Sequence, residues 1–88
     1  MTHIVLDGSV IRDRTELHEL LRERLSLPDW YGRNLDALHD CLTDLRDVTV
    51  VLRNAGALTE ALGGYGETVL RVFRDAAEEN PGFGFNVI

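Results

Sequence analysis

Between residues 35 and 45 the chain carries two interleaved patterns that only a helix can separate. At about 100° per residue, Leu35, Leu38, Leu42 and Leu45 fall within one arc of about 80°. Asp36, Asp40 and Asp44 fall within another arc of about 80° on the far side. One face is made for burial and the other repeats a carboxylate every turn. Like charges at i,i+4 cost a helix on the order of a few tenths of a kcal/mol per pair, so a chain that keeps them has that face available for something positive. Asn34 stands where an N-cap belongs. Gly32, just before it, suits a positive-φ turn or a close approach of another chain. Trp30 and Tyr31 precede the glycine. A tandem aromatic pair on a turn cannot easily bury both rings, so at least one is expected at the surface, and the two together are expected to rim a contact face.

A half-apolar helix needs a layer to pack against, and the rest of the chain supplies it. Residues 3–7 form a short, partly β-branched strand ending at Gly8. Asp13 and Glu16 have capping-box spacing, and Leu17, Leu20, Leu21 and Leu25 follow at helical spacing until Pro28 forbids continuation. The acidic helix covers about residues 33–45. Residues 48–52 are almost wholly apolar and β-branched, as in a strand buried on both faces. Residues 55–62 form a short helix ended by Gly63 and Gly64. A longer helix covers about 66–79, with Val69, Val72, Phe73, Ala76 and Ala77 inward, and Asn80-Pro81-Gly82 breaks it before a last strand, 83–88. The order is βααβααβ. Strands joined by helical crossovers predict an α/β fold with a parallel sheet and right-handed connections. At 88 residues this is one domain, 1–88, with one modest core.

Charge and composition narrow the function. The formal net charge is -6, and no basic cluster is present to hold phosphates, so direct nucleic-acid binding is not expected; an acidic domain meets a basic partner. All nine basic residues are arginine, which excludes a phosphate loop ending in Gly-Lys-Ser/Thr. Cys41 is alone, so no intramolecular disulfide forms, and it should pack as a small apolar group at the edge of the leucine arc. No basic leader or membrane-length apolar run is evident, so no membrane association and a cytoplasmic location are expected. No nucleophile, base and orienting group gather anywhere: His39 and Cys41 point about 160° apart on a helix, and Ser9 and Ser26 lack a nucleophile-elbow context. His39 with Asp36 supplies two ligands, too few for a metal. The expectation is a binding protein with no catalytic residues, no cofactor and no metal.

Residues 30–43, running Trp-Tyr-Gly-Arg-Asn-Leu-Asp-Ala-Leu-His-Asp-Cys-Leu-Thr, closely resemble the core motif of the barstar family, small intracellular inhibitors of secreted bacterial ribonucleases. Leu27-Pro28 and the run Val69-Leu70-Arg71-Val72-Phe73-Arg74-Asp75-Ala76 are also similar to family sequence, and about four fifths of the chain follows the family pattern, residues 54–64 excepted. The resemblance implies a barstar-like fold of three parallel strands and four helices. It departs from the type member where His39 and Leu45 replace tryptophans, Asp44 replaces a glycine and Arg33 replaces an acid.

What the resemblance implies about function is an intracellular inhibitor of a secreted, guanyl-specific, barnase-type ribonuclease. The partner would be a small basic extracellular enzyme in a one-to-one complex. The family places Trp30, Tyr31, Asn34, Asp36, His39, Asp40, Thr43 and Asp44 at or beside the contact face, with Asp40 as the carboxylate entering the nuclease active site. It also uses acids at the positions of Asp75 and Glu79 as outer contacts; read alone, these two are solvated surface, and Thr43 is a neutral surface residue. The resemblance also implies electrostatic steering of the encounter and one dominant aspartate at the contact, both known properties of the family. Two other readings stay open: an immunity protein against a different bacterial toxin, and a regulatory interaction module with no toxin partner.

Overall fold

The computed structural model describes residues 2–88. Strand β1 (Thr2–Asp7) leads through a single 3-10 turn to α1 (Arg14–Arg24) and α2 (Leu35–Asp44); β2 (Val48–Arg53) follows, then α3 (Ala55–Leu62), α4 (Gly64–Glu79) and β3 (Phe83–Val87). The sheet is parallel throughout in the order β1-β2-β3. The expected α/β arrangement, three parallel strands and four helices in the order βααβααβ, is therefore what forms.

Local chemistry sets the helix ends. The Asp13 carboxylate accepts the Glu16 N–H at 2.8 Å and starts α1, while the Glu16 carboxylate turns outward to Arg12. Helix α1 stops near Leu25, as expected. Helix α4 starts at Gly64 rather than at residue 66, because Gly63, at φ 61, turns the chain directly from α3 into α4.

The core lies between the sheet and the helices. Register aligns Ile4 with Val50 and Phe85, and Leu6 with Leu52. These residues pack with Leu17 and Leu21 of α1, Leu38 and Leu42 of α2, Leu58 of α3, and Val69, Phe73 and Ala76 of α4. The Phe73 ring stacks on Phe85 at 4.9 Å and on Phe83 at 6.2 Å between centroids. The run at 48–52 was expected to be buried on both faces, and the structure bears this out in part: none of the run is exposed, and Thr49 is buried on the face opposite Val50 and Leu52, but that face has no helix over it. The alternate positions His3 and Val5 of β1 and Asn86 of β3 are exposed, and Val51 is half-buried. The helices cover one face of the sheet. The β-branched side chains on the other face serve the pleat and their cross-strand neighbours rather than a second core.

Candidate partner-binding face

Helix α2 is fixed at both ends. At its start the Asn34 side-chain oxygen accepts the Ala37 N–H at 2.8 Å, while its amide nitrogen donates to the Gly32 carbonyl at 3.2 Å. The predicted N-cap is thus real. The left-handed residue of this turn is Arg33, at φ 52, and not Gly32 as expected. Gly32 is small for another reason: a Cβ there would lie 3.2 Å from the Asn34 amide nitrogen and crowd the cap. At the far end of α2, the Asn80 amide donates to the carbonyls of Leu42 at 3.0 Å and Leu45 at 2.8 Å. Neither carbonyl has an i+4 donor within the helix; that of Leu42 also accepts the Leu45 N–H at 3.3 Å. Asn80 was read only as part of a helix breaker; nothing in a single sequence announces that it reaches back 38 residues to Leu42.

Between these anchors the two arcs separate as predicted. Leu38 and Leu42 are fully buried and Cys41 nearly so, while Asp36, Asp40 and Asp44 are exposed. The Asp40 side chain keeps 85% of its accessible surface. Burial, with Asp44 and Asp40 nearby, raises the Cys41 thiol above its ordinary pKa, so it stays protonated and packs as an apolar group. The Thr43 hydroxyl donates to the Asp40 carbonyl at 2.9 Å and is occupied within the helix. His39 leans toward α4, where Nε2 lies 2.7 Å from the Glu79 carboxylate, and its Nδ1 lies 4.0 Å from that of Asp40. Glu79 is thereby joined to the stripe. Asp75, also exposed, instead lines a groove on the outer side of α4 with Arg71 and Arg74.

The two aromatics part company. Trp30 is 80% exposed and lies with Asp44 along a shallow groove of about 200 Å³ whose floor includes Leu27, Pro28 and Leu45. Tyr31 was expected at the rim and is instead core, only 2% exposed. Its hydroxyl lies 2.5 Å from Nδ1 of His18, and Nε2 of His18 lies 2.6 Å from the Tyr65 hydroxyl. A neutral imidazole has one donor and one acceptor, so one tyrosine donates to it and the other accepts. Burial, with Arg33 nearby, lowers the His18 pKa and favours that neutral form; burial raises the Tyr31 pKa. Tyr31 therefore buttresses the turn from beneath. His18 was overlooked, although a signal existed: it lies on the same side of α1 as Leu17, Leu21 and Leu25, a polar residue inside an apolar arc. Beside this network a cleft of about 550 Å³ opens between α1 and the start of α2, bordered by Arg14, Arg33, Asp36 and Tyr65. Arg33 is tied to Glu19 at 2.5 Å, and the Arg14 guanidinium sits 4.2 Å over the Tyr65 ring.

Among the described residues no three His, Cys, Asp or Glu side chains converge as a metal site would, and no helix is long and apolar enough to cross a membrane. What remains is an exposed, acidic, rigidly mounted helix face with one exposed tryptophan beside it. Residues 1–88 match the profile of the family described as Barstar (barnase inhibitor). The chain is also 44% identical over 81 residues to a Bacillus subtilis (strain 168) protein named, as a provisional assignment, ribonuclease inhibitor YrdF; the match covers 90% of this chain and 89% of that one. The chain belongs to the barstar family.

Proposed function

We propose that this barstar-family chain is a cytoplasmic inhibitor of a secreted, guanyl-specific, barnase-type ribonuclease, acting in a one-to-one complex by occlusion and without chemistry of its own. The observation that carries the reading is Asp40, a highly exposed carboxylate at the centre of the acidic stripe, on a helix locked at both ends. An enzyme that cleaves RNA must hold phosphate with cationic side chains. Carboxylates presented in a fixed array accept charge-assisted hydrogen bonds from those same groups and keep the substrate out. Asp40 enters the active site, Asp36 and Asp44 flank it one turn away on either side, and Asn34 presents the turn. Trp30 covers the rim and excludes water, and Glu79, joined to α2 through His39, meets the outer part of the enzyme with Asp75 beyond it. Tyr31 contributes from below, by holding the turn. Rigid mounting matters because side chains already ordered lose less entropy on association.

Inhibition of a panel of small guanyl-specific ribonucleases, barnase included, tests the reading. Asp40→Asn keeps the size of the side chain and removes its charge. The loss should be about 2–5 kcal/mol, the usual cost of leaving a buried partner charge without its counter-charge. That is at least about thirty-fold in the inhibition constant. Equal inhibition by Asp40→Asn and the parent would sink the mechanism. A second reading, immunity against a different toxin, is favoured by the charge changes at Arg33 and Asp44 and the replacement of an aromatic by His39 on the contact face; inhibition of none of the panel would select it.

A further inference from the structure

We propose that His39 is a positioning residue that makes partner binding depend on pH: its imidazole holds the Glu79 carboxylate beside the Asp40 carboxylate, and its proton competes with the partner's cationic side chains for them. This rests on the reading of the face as the binding site for a basic ribonuclease.

The geometry is specific. His39 Nε2 lies 2.7 Å from Glu79, forty residues away on α4, and Nδ1 faces Asp40 at 4.0 Å. The imidazole is partly open to solvent, with 36% of its side-chain surface accessible, and the two carboxylates are more open still. The charged groups facing it are acids. On α2 they are Asp40 and, three residues before His39, Asp36; on α4 it is Glu79, while Asp75 lies in the groove on the outer side of that helix. The α4 arginines Arg71 and Arg74 line the same groove. A neutral imidazole can donate through one nitrogen only. With Nε2–H given to Glu79, the lone pair of Nδ1 is left toward a carboxylate. When both nitrogens carry protons, each faces an acid. The free protein thus offers the imidazolium two counter-charges.

A basic partner removes that advantage. Its cations take the Asp40 and Glu79 carboxylates, and an imidazolium left between them meets like charge. Complex formation therefore expels the proton. Acidification should therefore weaken binding by the parent more than binding by a variant that cannot carry this proton. The neutral ring still holds Glu79 toward α2, so His39 positions the acid in both states while only one of them suits the complex. His39→Gln separates the two roles, because an amide can still donate to Glu79 but cannot titrate.

Calorimetric titration of purified barnase into the parent and His39→Gln, at about pH 7.5 and about pH 5.5 and in buffers of different ionisation heat, tests this. On acidification the parent should lose several-fold more affinity than His39→Gln, on the order of three- to tenfold. Near pH 6 the parent should release more protons on binding than the variant. Groups of barnase that titrate do so against both proteins, so the difference isolates His39. Glu79→Gln should shrink the parent's excess in the same direction. Barnase bound with identical pH profiles and identical proton release by parent and His39→Gln overturns the role of His39 and leaves the inhibitor reading standing. Barnase bound by neither protein at either pH overturns the barnase reading and this inference with it.

Discussion

Replacing Tyr31 by phenylalanine removes a single oxygen from the core and should be felt by the whole fold. The ring is 2% exposed, and its hydroxyl sits 2.5 Å from a His18 nitrogen that is equally enclosed. Phenylalanine fills the same ring volume, so no cavity of consequence opens. What changes is His18, which keeps one tyrosine and loses the other. A buried polar nitrogen left without a partner costs about 1–3 kcal/mol. In a domain of this size each kcal/mol lowers the melting temperature by about 4–8 °C, so the fall should be about 4–24 °C. Tyr31→Ala removes the ring as well, and large aromatic truncations cost about 3–5 kcal/mol. That matches or exceeds the about 2–5 kcal/mol expected for Leu38→Ala, a fully buried leucine of α2. Against a total stability of about 5–15 kcal/mol, typical of small domains, Tyr31→Ala should leave little margin. Urea denaturation of the three variants, with midpoints and slopes compared, is the assay. Tyr31→Phe melting with the parent would show that the hydroxyl is not the partner His18 depends on. Tyr31→Ala unfolding at parental urea concentrations would refute the placement of the ring in the core and return Tyr31 to the rim of the contact face.

Other outcomes follow from the same contacts. Trp30→Ala should leave stability within about 0.5 kcal/mol of the parent, since the ring is 80% exposed, while weakening barnase binding; a destabilised variant would argue that the tryptophan packs inward. Association with barnase, followed by stopped flow, should slow as salt rises while dissociation changes much less, because steering acts through long-range attraction; a flat association rate would remove steering from the account. Stability should vary with pH in two windows, read from melting curves. Burial lowers the His18 pKa below 6.5, so the unfolded chain takes up that proton first and stability declines as pH falls below about 6.5; Asp7, held to about 2 by hydrogen bonds from Asn54 and Ser9, loses its contribution as pH falls from about 4 toward 2. Asp47→Asn should preserve inhibition and be neutral or slightly stabilising, since Asp47 lies outside the stripe at φ 56, a conformation asparagine tolerates at least as well.

How much could be read from the sequence depended on whether the determinant was local. The acidic and apolar arcs of α2, the Asn34 cap and the burial of Cys41 all follow from spacing along one helix, and each formed as expected. The parallel pairing followed from the long helical crossovers between the strands. The errors came where the answer lay in another element. Tyr31 was sent to the surface because its buried partner, His18, lies 13 residues away and was not weighed. A positive φ was one of two roles read for Gly32, yet the left-handed residues between α1 and α2 are Ser26 and Arg33, the latter with its guanidinium tied to Glu19 of α1. The strand at 48–52 is enclosed as expected, but by helices on one face and only by its cross-strand neighbours on the other, a difference that β-branched residues do not reveal. The Asn80 clamp and the His39–Glu79 bridge each span about forty residues and leave no periodic trace.

The arrangement of charge on α2 argues that its acids answer to something outside the chain. An acid in the first turn, as Asp36 is, gains from the helix dipole; an acid in the last turn, as Asp44 is, works against it. No basic residue stands in that last turn to offset it. Asp36, Asp40 and Asp44 also repel one another in two successive i,i+4 pairs, at about a few tenths of a kcal/mol each. Each of these choices weakens α2 slightly, and none is repaired by an internal salt bridge to an arginine, although Arg33 lies next to the start of α2 and pairs instead with Glu19. The helix tolerates them because burying Leu38 and Leu42 supplies about 1.5–3 kcal/mol apiece, several times the electrostatic loss, and because Asn34 and Asn80 occupy end groups that would otherwise fray. A solvated helix face with no partner would gain by moving a single arginine into register with Asp40. Keeping Asp36, Asp40 and Asp44 free of arginines on so firmly held a helix supports the reading that their counter-charges belong to another molecule, and that α2 is made rigid so that those charges arrive already in place.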